Sequence, residues 1–285
     1  MQVFETVRGL RQFLAAHRAT NIRLGLVPTM GYLHAGHISL VHAARQECEV
    51  VVMSIFVNPT QFGPQEDFAA YPRDLAGDLQ QARAAGVDVV FTPTVAEMYP
   101  VGFLTEVRVS AITALLCGAS RPGHFHGVTT VVAKLFHIVG ADRAYFGQKD
   151  YQQVTVLRQM TRDLCMPTTV ITCPTIREPD GLAMSSRNAY LTPAERRAAL
   201  VLWRTLQLAE ARLAQGERHG DRLMATLRDA VAQEPLARLD YVAVCDPDTL
   251  REVAQLAGTV VVALAVYIGA TRLIDNVVLQ VPPSA

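Results

Sequence analysis

Charge of one sign is not in excess in this sequence: 26 Lys and Arg stand against 26 Asp and Glu. A chain whose main work is gripping long nucleic acid carries a basic surplus, so that class is set aside. Cysteine is scarce, with five in 285 residues. Cys48, Cys117, Cys165, Cys173 and Cys245 contain no CxxC pair. Such a set builds neither a disulfide framework nor a cysteine zinc site, and it points to a reducing, cytoplasmic setting. Charged residues make up only 18% and hydrophobic residues 50%, which excludes a disordered chain. Clean hydrophobic runs of membrane-spanning length are missing too. The uncharged stretch from Val253 to Thr271 is interrupted by Gln255, Gly258, Thr259 and Gly269. Its β-branched middle reads as a buried strand ended by Gly269, not as a membrane span. The first residues, MQVFETVRGLRQFL, scatter Glu5, Arg8 and Arg11 and lack the apolar core of a signal peptide.

What the chain does contain is rhythm. Its length suggests about two domains. Short apolar segments at Ile22–Val27, Val50–Val57, Val87–Phe91, Ala144–Phe146 and Thr169–Thr172 alternate with helix patterns. Those patterns lie near Ile38–Glu47, Asp74–Ala85, Val128–Val139 and Tyr151–Leu164. This alternation predicts an α/β domain over residues 1–176, a Rossmann-like, doubly wound parallel sheet that binds ligands at the carboxyl ends of its strands. Residues 177–285 change texture. Thr192-Pro193-Ala194-Glu195 opens a helix as N-cap, first-turn proline and third-position glutamate. Leu200, Trp203, Leu206 and Leu213 continue it as one long amphipathic helix, and a second helix follows near Asp221–Ala232. Strands are expected around Tyr241–Val244, Val260–Tyr267 and Asn276–Val281, giving a smaller α+β domain.

Four segments carry polar chemistry at informative places. Pro28-Thr29-Met30-Gly31-Tyr-Leu-His34-Ala-Gly36-His37 follows the first strand and enters a helix. Its glycines permit close backbone approach, and the helix start offers N–H groups to phosphate. A tight turn with incidental histidines fits the same residues, whereas zinc lacks a third ligand. Asn58 and Gln61, in FVNPTQF, are neutral amides at the end of the second strand. They suit either hydroxyl and carboxylate recognition or ordinary Asn-Pro turn chemistry. Gly147-Gln-Lys149-Asp150 ends a later strand, where Lys149 can offer a point charge and Asp150 can cap the helix or orient a metal-bound water. Gln153 lies about one turn beyond. Met184-Ser185-Ser186-Arg187 is either a mobile anion clamp or a solvated linker. In the glycine-rich loop Arg121-Pro-Gly123-His124-Phe-His126-Gly127, function and turn are equally plausible.

Taken together, PTMGYLHAGH, FVNPTQF, YPRD, RPGHFHGV, FGQKDYQQ and MSSRN resemble the pantothenate synthetase (pantoate–β-alanine ligase) family, in family order from about Val27 to Leu191. HxGH alone is shared with the wider nucleotidylyltransferase group; the set is far more specific. The resemblance implies an ATP-binding ligase of pantothenate and coenzyme A biosynthesis. Pantoate carboxylate would attack ATP to give pantoyl adenylate and pyrophosphate, and β-alanine would then displace AMP. It also implies Mg²⁺, a hinged C-terminal lid and a homodimer.

By the same resemblance, Pro28, Thr29, Met30, Gly31, His34, Gly36 and His37 hold ATP, with His37 as proton donor. Gly147, Lys149 and Asp150 form a second ATP loop, and Ile176 touches adenine. Met184, Ser185, Ser186 and Arg187 form the mobile ATP loop. His34, His37, Lys149, Ser185 and Arg187 are the candidate catalytic residues. Gln61 and Gln153, with Asn58 and Tyr71, would bind pantoate and β-alanine. Asp78 and Gln81, three residues apart, are the candidate magnesium ligands. The rivals are an adenylyltransferase of the same fold with another substrate, and a non-catalytic ATP-binding regulator.

Overall fold

The computed structural model describes residues 1–18, 22–64 and 66–282. The chain divides into two compact units. The first comprises Met1–Ser110, Arg121–Gln148 and Val156–Pro174, the second Ala111–Ser120, Lys149–Thr155 and Thr175–Ala285. Among the described residues no helix is long and apolar enough to cross a membrane.

The first unit is built on strands β1 (Gln2–Phe4), β2 (Leu24–Thr29), β3 (Val50–Ile55), β4 (Val89–Phe91), β5 (Arg143–Gly147) and β6 (Thr169–Cys173). They form one sheet in the order β1-β4-β3-β2-β5-β6, and every pair is parallel. The helices of the chain up to this point are α1 (Val7–Arg18), α2 (Ala35–Glu47), α3 (Leu75–Ala84), α4 (Val95–Met98), α5 (Cys117–Ser120), α6 (His124–Val139) and α7 (Tyr151–Asp163). Strand β3 is buried on both pleats. Val51 and Met53 share a core with Val27, Leu40 and Val41, and Val50 and Val52 are buried as well. That is the signature of a parallel strand covered on both faces. From β2 the chain builds outward to β3 and β4, then crosses back to place β5 on the other side of β2. The switch point between β2 and β5 is where such sheets bind ligands. The expected Rossmann-like class is the one observed.

The second unit holds an antiparallel sheet of β7 (Ala237–Cys245), β8 (Thr259–Ile268) and β9 (Thr271–Gln280), in that order. Helices α8 (Pro193–Ala198), α9 (Leu200–Ala214) and α10 (Gly220–Ala232) complete it. Leu202, Leu206, Leu223 and Leu227 pack with Val242, Val244, Val262 and Leu264 in one core. The opposite face of the sheet, Ala243, Val261 and Ala263, packs with Leu116 and Tyr151. Thr192 caps α8 as expected, with Glu195 returning the bond in a capping box.

Some boundaries differ from the sequence reading. Strand β1 and helix α1 are additions to it; three residues, two of them exposed, make a weak strand pattern. Helix α2 starts at Ala35, not Ile38, because His34 caps it. The single long helix is in fact two, with Ala199 as the junction between α8 and α9. Strand β9 starts at Thr271, five residues before Asn276, directly after a two-residue turn with Gly269 at φ 57°. Its polar residues Thr271, Arg272 and Asp275 break the apolar pattern that marks a strand.

Candidate active site

The PTMGYLHAGH segment is a turn braced on its inner side. Thr29 ends β2, donating its hydroxyl to the Ser54 carbonyl at 2.7 Å and accepting the Gly31 N–H at 3.2 Å. The backbone then turns through positive φ at Gly31 (83°) and Tyr32 (52°). Asp78 of α3 stabilises this turn. Its Oδ2 accepts the Tyr32 N–H at 2.9 Å and its Oδ1 the Leu33 N–H at 2.7 Å, while the Gln81 amide donates to the Leu33 carbonyl at 3.2 Å. A Cβ on Gly31 would sit 2.7 Å from Asp78 Oδ2, so glycine is required by both space and φ. Burial pushes the Asp78 carboxyl above its ordinary range, against the two N–H bonds that favour its charge.

The turn delivers His34 as the N-cap of α2. His34 Nδ1 accepts the Gly36 N–H at 3.1 Å, and His37 Nδ1 accepts the His34 N–H at 3.3 Å, a reciprocal cap with ring centroids 4.0 Å apart. With Nδ1 of each ring accepting, the proton of each neutral imidazole resides on Nε2. Both histidines are thereby set as Nε2–H donors at a helix N-terminus, an arrangement suited to phosphate oxygens.

The next loop, after β3, centres on Asn58. It is 1% exposed and fully committed within the protein. Its Oδ1 accepts from the Tyr99 hydroxyl (2.8 Å) and the Thr60 hydroxyl (2.9 Å), and its Nδ2 donates to Gln61 Oε1 and to the Gly127 carbonyl, each at 3.1 Å. Asn58 therefore orients Gln61, whose amide nitrogen lies 3.1 Å from Met30 Sδ. The glycine-rich RPGHFHGV loop, open between two readings in the sequence, supports this site from behind. The Gln61 carbonyl lies 2.8 Å from His124 Nδ1 and accepts from Arg121 at 3.3 Å; Arg121 is itself paired with Glu66. Gly127 packs so closely that a Cβ there would lie 2.3 Å from the Thr60 carbonyl oxygen. Tyr71 is buried edge-on against Phe62, centroids 6.0 Å apart. At the end of β5, a Cβ on Gly147 would meet nothing within 4 Å, so packing does not dictate glycine there.

In the second unit, Lys149 and Asp150 lie in a single 3₁₀ turn, Gln148–Asp150, that runs into α7. Gln152 clamps the 112–117 segment, donating to the Ile112 and Leu115 carbonyls (2.8 and 2.7 Å) and accepting the Cys117 N–H (2.9 Å). Gln153 is half-buried beside it. Ile176 and Met184 close a hairpin: the Met184 N–H donates to the Ile176 carbonyl at 3.0 Å, with Arg177 bridged to Ala183 inside it. Gly181, at φ 96°, lets the hairpin turn against Trp203, whose ring lies 2.0 Å from where a Cβ would be. Ser185 then caps the 3₁₀ turn Ser186–Tyr190 by accepting the Arg187 N–H at 3.3 Å. Lys149, Ser185, Asn188 and Asp275 line one small recess.

The sequence-derived candidates thus fall into two sets. Pro28–His37, Asn58, Gln61, Tyr71, Asp78, Gln81 and Gly147 belong to the first unit; Lys149, Asp150, Gln153, Ile176 and Met184–Arg187 belong to the second. Sequence reasoning misses Arg177, Asp275 and Asn276. Asn276 donates to the Lys149 carbonyl 127 residues away and Arg177 pairs with Asp275 98 residues away, and nothing local flags either contact. Asp78 and Gln81 do not fit a magnesium ion as a donor set. Both Asp78 oxygens already serve backbone N–H groups, and a carboxylate 2% exposed offers little to an ion that keeps its waters. Among the described residues no three His, Cys, Asp or Glu side chains converge as a metal cluster.

Comparison with known proteins agrees with this anatomy. The family model described as pantoate-beta-alanine ligase matches residues 2–278. The pantothenate synthetase of Moorella thermoacetica is 58% identical over 281 residues, 99% of each chain. That of Acetivibrio thermocellus is 55% identical over 281 residues, 99% of this chain and 100% of the other. The crystal structure of pantothenate synthetase from Thermus thermophilus superposes with a TM-score of 0.92 at 47% identity, covering 99% of this chain and 100% of that one. A pantoate-beta-alanine ligase from Francisella tularensis, solved with an ATP compound and β-alanine, gives 0.79 at 35% identity over 97% of both chains. A match that spans nearly the whole chain, and that includes the capped HxGH turn and the Asn58–Gln61 loop, leaves one conclusion: the chain belongs to the pantoate–β-alanine ligase family.

Proposed function

We propose that this chain condenses pantoate with β-alanine to give pantothenate, converting ATP to AMP and pyrophosphate through a pantoyl adenylate. The observation that carries the reading is the family match over residues 2–278 together with the reciprocal cap of His34 and His37 at a helix start. In the first step a pantoate carboxylate oxygen bonds to the α-phosphorus and the bond to pyrophosphate breaks. A carboxylate is a weak nucleophile repelled by ATP, so catalysis reduces to positioning and to stabilising growing negative charge. His34 and His37 donate to the phosphates, with His37 as proton donor; Lys149 and Arg187 add positive charge. The turn that includes Met30, Gly31 and Gly36 holds the nucleotide, and Ile176 meets adenine through its main chain. Gln61 and Gln153 bind the pantoate hydroxyl and carboxylate groups, and Asn58 acts through Gln61. In the second step the free amine of β-alanine attacks the acyl carbon and AMP leaves.

Asp78 and Gln81 are not proposed as magnesium ligands; a magnesium ion arriving with the nucleotide would supply charge neutralisation at its phosphates. The five cysteines without CxxC pairing favour a cytoplasmic enzyme. The homodimer that the family resemblance implies is kept as part of this reading.

The test is ATP–pyrophosphate exchange with pantoate present and β-alanine absent. Pantoate-dependent exchange is the expected result. A nucleotide-binding regulator would bind ATP without exchange, and an adenylyltransferase for another substrate would exchange only with that substrate.

Gln61→Ala and Gln153→Ala should each raise the pantoate KM about tenfold or more, the scale of one hydrogen bond to a charged group, and leave the ATP KM nearly unchanged. Steady-state kinetics with each substrate varied in turn reads this directly. Unaltered pantoate kinetics in both variants would remove the two glutamines from substrate binding.

A further inference from the structure

We propose that Asn276, together with the Arg177–Asp275 pair beside it, is a positioning residue that anchors Lys149 to strand β9 and so sets where its charge is presented to the nucleotide. The inference rests on the role assigned above to Lys149.

Lys149 sits in a three-residue 3₁₀ turn, a conformation with poor intrinsic hydrogen-bond geometry that needs support from outside. The support comes from the side chain of Asn276, 3% exposed, whose Nδ2 donates to the Lys149 carbonyl at 2.8 Å. The Asn276 N–H in turn donates to Asp275 Oδ1 at 2.8 Å. Asp275 is 2% exposed and takes a two-pronged contact from Arg177, at 2.6 Å to Oδ2 and 3.0 Å to Oδ1. Arg177 is fixed on its other sides by the Gly181 carbonyl at 3.1 Å and by the Trp203 ring 4.1 Å away.

Adjacent strand residues point to opposite faces of a sheet. Asp275 pairs with Leu264, in the core under α9, and Asn276 with Ala263, in the cluster beside Tyr151. One dipeptide therefore reaches two phosphate-handling elements at once. Asp275 holds the hairpin that leads into Met184–Arg187, and Asn276 holds the turn that carries Lys149.

Stability alone does not call for this arrangement. A buried ion pair exchanged for apolar residues of similar volume is often no less stable, so its placement needs another reason. The recess lined by Lys149, Ser185 and Asp275 supplies one, since both elements converge there. Burial raises the Asp275 carboxyl; the Arg177 guanidinium, then the Asn276 N–H and last the Lys149 ammonium oppose the rise.

The test is a double-mutant cycle in the full-length enzyme with Asn276→Ala, Lys149→Ala and both, read by pantoate-dependent ATP–pyrophosphate exchange and by thermal unfolding. Asn276→Ala should lower exchange at saturating pantoate about ten- to a hundredfold, the scale of misplacing a reacting group, with pantoate KM held within about twofold. The double variant should be no slower than Lys149→Ala, because Asn276 acts through that residue. Multiplying losses in the double variant, or wild-type exchange in Asn276→Ala, would overturn the inference. Lys149→Ala at wild-type rate would overturn instead the role of Lys149 on which it rests. If Asn276→Ala does not fold, Asn276→Leu takes its place in the cycle: it is close in shape, removes the donor without burying a charge and is read by the same criteria.

Discussion

Lys149→Ala should slow pantoate adenylation by at least ~10²-fold, the usual loss for one donor aimed at charge that develops in the transition state. The reason is the charge balance of the first step. Carboxylate attack at the α-phosphorus brings an anion onto a polyanion and releases another polyanion. A fixed ammonium is worth more at that moment than before it, because the charge it faces is then concentrated on the oxygens around the α-phosphorus and the departing pyrophosphate. Lys149→Arg should rescue only in part. A planar guanidinium cannot reproduce a compact point charge. Single-turnover formation of the adenylate, measured by rapid quench without β-alanine, isolates this step from product release. Adenylate formation at the wild-type rate in Lys149→Ala would remove the residue from the chemistry. A loss confined to ATP KM would leave it as a binding group only.

How far the sequence reached depended on where each feature's cause lies. The parallel sheet was legible because its strands, such as Val50–Ile55, are nearly continuous apolar runs, a pattern made by burial on both faces. The capping box at Thr192 was legible because its partner, Glu195, is three residues away. The HxGH cap uses the same spacing. It does not read as a cap because histidine is not among the usual N-cap residues, so the sequence pattern starts α2 about one turn late. Asp78 reads as a metal ligand when only its own helix is in view. The Tyr32 and Leu33 N–H groups that it binds lie 46 and 45 residues away, and only the folded sheet brings them together. Strand β9 is the clearest case of a boundary hidden by polar residues whose partners lie far away in the chain. Its first half looks unlike a strand because it carries Thr271, Arg272 and Asp275, and Asp275 is buried against Arg177 of the hairpin before Arg187. Local rules break where a site imposes its own demands.

His34→Ala should combine two losses that a second variant can separate. The first is structural: with no acceptor for the Gly36 N–H, the start of α2 loses its cap, worth about 1 kcal/mol of stability. The second is chemical: a ring Nε2–H donor to phosphate disappears, which should slow adenylation by about 10²- to 10³-fold. His34→Asn separates them. Asparagine is among the best N-caps and can accept the same N–H, but its side chain is too short to place a donor where the imidazole Nε2 stands. The expected result is therefore divergence, with His34→Asn recovering the denaturation midpoint lost in His34→Ala while its single-turnover rate stays as low as that of the alanine variant. Equilibrium denaturation and rapid-quench kinetics on the two proteins decide the matter. If asparagine restored rate along with stability, His34 would be a helix cap whose ring chemistry is dispensable, and phosphate contact in the first unit would pass to His37 alone. If neither property recovered, the contact of the His34 ring with the His37 ring, centroids 4.0 Å apart and absent from both variants, would be the feature that matters, because without it His37 is misplaced and the site lacks its second donor.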